Sequence, residues 1–111
     1  MAKHEFGIIE KEPLNTQRFD EYEPNKYNCI SIDDDFIAPL LIDLKSVDCY
    51  WHTILNTGKG LAYCGITLIP PKSIDTFIKI LSYQDNSEYN DLIGLAKHAK
   101  EFNKYIIHFG I

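Results

Sequence analysis

The chain has 111 residues, 45% hydrophobic and 24% charged, the balance of an ordinary globular domain long enough to bury about two thirds of its unfolded surface. A formal net charge of −5 lacks the basic footprint that nucleic acid or an anionic membrane selects, so neither partner is expected. No apolar run approaches the ~20 residues of a membrane span, and residues 1–10 lack the apolar core of a signal peptide, so the chain reads as one cytosolic domain over 1–111.

In chain order, residues 6–10 (FGIIE) predict a short strand that Pro13 ends. Residues 15–26 are polar and acidic with no clear period, and read as a surface loop. Residues 27–33 (YNCISID) alternate as a strand, and Asp34 or Asp35 is placed to cap a helix reaching about residue 47. Its Phe36, Ile37, Leu40, Leu41 and Leu44 recur at helical spacing, with Pro39 tolerated in the first turn.

The clearest stretch is 48–71, two β-rich runs flanking NTGKG, the signature of a hairpin. A turn centred on Gly58-Lys59 pairs Tyr50, His52 and Ile54 with Thr67, Gly65 and Tyr63 on one face. It pairs Cys49, Trp51 and Thr53 with Leu68, Ile66 and Cys64 on the other, the core face. Gly65, without a Cβ, leaves a gap beside the imidazole of His52. Ser73 then caps a helix with the stripe Ile74, Phe77, Ile78 and Leu81. A polar break at 84–88 precedes a third helix that buries Tyr89, Leu92, Leu95, Ala96, Ala99 and Phe102, and residues 104–111 (KYIIHFGI) form a last strand. These elements predict an α+β fold, an antiparallel sheet of four to five strands with two to three helices packed mainly on one face and the other face open.

Candidate chemistry follows from that arrangement. Asp33, Asp34 and Asp35 could hold Mg²⁺ through oxygen ligands, but acidic residues at a helix start are expected as caps without any metal. Cys49 and His52 fall on opposite faces of one strand, which counts against a Cys-His pair, and the three cysteines read as buried thiols. Nucleotide-loop, hydrolase-elbow and zinc-protease motifs are missing, so no cofactor and no metal site are expected.

The surface most worth weighing is the open face with Tyr50, His52, Tyr63 and Thr67, joined by His108 from the last strand. Tyrosine-rich faces suit protein contacts, so the expected function is a small acidic interaction module. It would form a homo-oligomer or bind a protein partner, a basic one on grounds of charge. The competing expectation is a small-molecule-binding protein or hydrolytic enzyme, with His52 as acid/base and Tyr50 or Tyr63 orienting the substrate.

Overall fold

The computed structural model describes residues 2–111 and is built on one antiparallel sheet of six strands. Strands β1 (Lys3–Ile9), β2 (Ile30–Asp33), β3 (Asp48–Trp51), β4 (Thr57–Lys59), β5 (Ile66–Ile69) and β6 (Tyr105–Phe109) lie in the order β2-β1-β6-β5-β3-β4. The α+β class is as the sequence predicts. The sheet has six strands rather than four to five because the NTGKG stretch supplies β4 instead of a turn.

The first helix is broken. α1 (Asp34–Ile37) and α2 (Leu41–Leu44) are separated by a 3-10 turn at Ala38–Leu40, where Pro39 lacks an N–H and its ring crowds the preceding turn. Asp33, one residue earlier than expected, is the cap, its carboxylate accepting from the N–H of Asp35 at 2.9 Å. α3 (Ile74–Tyr83) buries Ile74, Phe77 and Leu81, while α4 (Asn90–Glu101) buries Leu92, Ala96 and Ala99. Ser73 stands before α3 but makes no cap bond; its hydroxyl donates to the carbonyl of Asp48 at 2.6 Å. Phe102 is exposed because α4 ends at Glu101 and the chain turns away through a left-handed Asn103, φ 55°. No helix among the described residues is long and apolar enough to cross a membrane.

The hairpin register is corrected by one residue. Tyr50 pairs with Leu68 and Trp51 with Thr67, which sends Ile66 and Leu68 to the face opposite Cys49. The cause is that β3 stops at Trp51. His52 adopts a left-handed φ of 65°, and the chain folds back as β4 against the free edge of β3, Cys49 opposite Gly58. Gly58 makes room for that return, since an added Cβ would sit 2.3 Å from Cε2 of Trp51. The indole N–H meanwhile donates to the carbonyl of Gly60 at 3.0 Å. Gly58→Ala is expected to cost about 1–3 kcal/mol by overpacking and to red-shift the emission of the single tryptophan. Urea unfolding followed by that fluorescence checks it; an unchanged midpoint and spectrum would contradict the packing.

Both sheet faces are covered. On one, Phe6, Ile32, Cys49, Ile69 and Ile106 meet the helices. On the other, Ile9, Ile66, Leu68, Ile107 and Phe109 are buried with Phe19, and Tyr27 and Cys29 pack against them. The face expected to stay open is therefore closed by segment 10–29, and Leu68 and Ile107 beneath it are at most 1% exposed.

Candidate functional site

Strand alternation builds a buried polar chain at the helical face. β1 turns His4 and Phe6 to that side, and Phe6 and Thr67 both lie opposite His108 in the register of β6. Nδ1 of His4 is 2.8 Å from Nε2 of His108, Nδ1 of His108 is 3.3 Å from the hydroxyl of Thr67, and all three residues are fully buried. At the other end, Nε2 of His4 lies 2.8 Å from Oδ1 of Asp34, whose Oδ2 accepts from the hydroxyl of Tyr63 at 2.8 Å. The backbone N–H of Ala62 donates to the Thr67 hydroxyl at 2.8 Å.

One set of tautomers satisfies every atom. Thr67 donates to Nδ1 of His108, Nε2–H of His108 donates to Nδ1 of His4, and Nε2–H of His4 donates to the Asp34 carboxylate. Reversing the two imidazoles would leave the Thr67 proton without an acceptor in the chain. Burial, and then the neighbouring His4, push His108 down to about 3, which agrees with a neutral ring. The hydrogen bond from His4, and then that from Tyr63, hold the Asp34 carboxyl below its ordinary value. A carboxylate, two imidazoles and a hydroxyl in series resemble a proton relay, but the hydroxyl end is sealed. Thr67 is 0% exposed, so no substrate reaches it, and the chain's evident effect is to lock β1, β5, β6 and the start of α1 together.

His52 and Tyr50 lie elsewhere. Nδ1 of His52 is 3.0 Å from the carbonyl of Phe19 and 3.1 Å from a carboxylate oxygen of Asp20, while the N–H of Phe19 donates to the carbonyl of His52 at 2.7 Å. His52 thus pins segment 10–29 to the end of β3. The expected gap beside Gly65 is filled by the imidazole, since an added Cβ would meet its Nε2 at 2.9 Å. Tyr50 packs against the cluster beneath the segment. Of the five residues expected to share one open face, Tyr63, Thr67 and His108 converge in the buried chain, and Tyr50 and His52 do not join them. His108 lies end to end with His4, with ring centroids 5.1 Å apart and planes 18° apart, rather than standing beside His52. The register slip and the covered face explain the regrouping.

Sequence reasoning missed His4, because the first strand was expected to start at Phe6, and it treated Asp34 only as a cap or metal ligand. Alternation carried two residues further upstream places His4 on the Phe6 face. Two of the three aspartates have separate tasks: Asp33 caps, and Asp34 holds His4 and Tyr63. Among the described residues no group of three or more His, Cys, Asp or Glu is placed to hold a metal ion. Desolvation pushes the thiols of Cys29 and Cys49 up to about 11 and about 12, far from nucleophilic poise.

Charge is unevenly distributed. The first 35 residues hold nine carboxylates and four basic side chains, whereas residues 36–111 hold seven of each, so the whole net charge lies on β1, segment 10–29, β2 and the start of α1. Asp20 pairs with Arg18 at 2.7 Å. Glu10, Glu12, Glu21 and Glu23 form no ion pair among the described residues, and Tyr22 and Leu14 stand beside them 65% and 66% exposed. Comparison with protein-family models, curated proteins and solved structures finds no match to this chain.

Proposed function

We propose that the protein is a small acidic binding module that recognises a basic protein surface through segment 10–29 and the flanking strands β1 and β2. The observation that carries this reading is the placement of the entire net charge on the first 35 residues, with an exposed tyrosine and leucine set among unpaired carboxylates. Complementary charge steers encounter and fixes register, while exposed aromatic residues supply the apolar contact that charge alone does not. A segment held by Phe19 and His52 offers that surface without a large ordering cost on binding. The enzymatic alternative draws less support, because His52, Tyr50 and Tyr63 do not converge and the imidazoles and hydroxyl of the His4–His108–Thr67 chain are buried away from substrate. We place the module in the cytosol, where a reducing environment keeps Cys29, Cys49 and Cys64 as thiols.

The test is a titration of isotope-labelled protein with a lysine- and arginine-rich peptide, followed by backbone amide shifts. Shifts should cluster in residues 10–23 and 30–35 and weaken as salt rises. Glu21→Lys combined with Glu23→Lys should weaken binding about tenfold. Shifts centred on α3 and α4, or a binding strength indifferent to salt and to the double reversal, would rule the surface out.

A further inference from the structure

A second surface lies on the helical side of the sheet, away from segment 10–29. Ile42 on α2 and Tyr83 at the end of α3 are 80% and 87% exposed, more than any other large hydrophobic residue described. With Ile80 they border an open groove of about 560 Å³ whose walls also carry Asp43 and Lys79. Neither of these charges has an ion-pair partner among the described residues.

We propose that this groove is the contact of a two-fold homodimer, in which Ile42, Ile80 and Tyr83 of the two protomers pack together and Asp43 of each protomer meets the partner's Lys79. A two-fold contact uses the same patch twice, so the patch must contain its own complement. An apolar centre flanked by one acid and one base meets that requirement, and a patch of a single charge sign would not. The electrostatics also select this side. Residues 36–111, which form the patch, carry balanced charge, whereas two acidic halves brought face to face would repel. Large hydrophobic residues exposed together on one helix pair are a surface that solvent disfavours and a second copy would cover. The contact stands independently of the binding reading above. Where both hold, the dimer displays two acidic faces outward and can engage a partner bivalently.

Three apolar side chains and one charge pair per protomer are far fewer than the roughly 20–30 residues a side of a standard interface, so the dimer is a weak one that forms in the range of about 0.1 mM. Sedimentation equilibrium from about 10 μM to about 1 mM reads it directly. Lys79→Asp should raise the dimer dissociation constant tenfold or more, and Asp43→Lys combined with Lys79→Asp should restore it, because the exchange rebuilds the pair across the two-fold axis. Tyr83→Ala should weaken the dimer as well. The altered side chains are exposed, and circular dichroism confirms that each variant folds. A monomer throughout the range overturns the proposal. So does a dimer that none of the variants weakens, or one that the double exchange fails to recover.

Discussion

His108→Gln should abolish a loss of stability that the wild-type protein suffers between pH 7 and pH 5. Burial and the neighbouring His4 depress the His108 imidazole to about 3, against about 6.5 in an unfolded chain. Below about 6.5 the unfolded chain takes up a proton that the folded protein refuses. The stabilising contribution is therefore complete above that pH and is lost as pH falls toward 3, at roughly 1.4 kcal/mol per unit, or about 2 kcal/mol by pH 5. Asp34, held below its ordinary value by His4 and then Tyr63, adds a loss of the same sign at more acidic pH. A glutamine at 108 can present an N–H near the place of Nε2 and still donate to His4, but it takes up no proton. Its cost at pH 7 should be about 1–3 kcal/mol, since the buried Thr67 hydroxyl loses its acceptor. Urea midpoints at pH 7 and pH 5 for both proteins decide the matter. A variant that keeps the wild-type pH slope would mean that another group titrates and that the neutral His108 ring between Thr67 and His4 is wrongly assigned.

The legible parts of the fold were those governed by periodicity. The stripes of Ile74, Phe77 and Leu81 and of Leu92, Ala96 and Ala99 could be read because an amphipathic helix must repeat its apolar face. The hairpin register could not, because β3 is ended by a left-handed histidine; a glycine there would have signalled the turn, and His52 does not. The His4–His108 pair was hidden for a topological reason. It joins residues 104 apart through the adjacency of the first and last strands, and strand order is not written in local pattern. Strand alternation does group Tyr63, Thr67 and His108, but as members of an open face; the structure buries Thr67 and His108, where their polar atoms must find partners. Segment 10–29 was the most misread. A cover whose only regular element is the 3-10 turn Pro24–Tyr27 has almost no period to show, so its most deeply packed large side chain, Phe19, looks like any other member of a polar loop.

Phe19→Ala is expected to lower stability by about 3 kcal/mol and to make the protein bind a hydrophobic dye such as anilinonaphthalene sulfonate. The side chain is 6% exposed and packs in the cluster with Ile66, Leu68, Ile107 and Phe109, and large-to-small changes at such sites cost about 3–5 kcal/mol where the cavity cannot refill. Refilling is poor here because Leu14 points outward, and Tyr22 is already committed, its ring edge-on to Phe109 and its hydroxyl donating to Glu5. The bonds between Phe19 and His52, the nearby carboxylate of Asp20 and the Tyr22–Glu5 bond would remain, but none of them fills the space that the ring leaves. With the ring gone the segment should open more often, exposing the β5 and β6 face to dye and speeding amide exchange across residues 10–29. Phe19→Leu, which keeps most of the buried volume, should retain more than half of the lost stability and bind little dye. A loss below about 1 kcal/mol for Phe19→Ala, with no dye binding, would mean that the segment does not close this face in solution. The acidic surface proposed for partner binding would then lack the anchor that holds Glu21, Tyr22 and Glu23 in place, and the binding reading would fall with it.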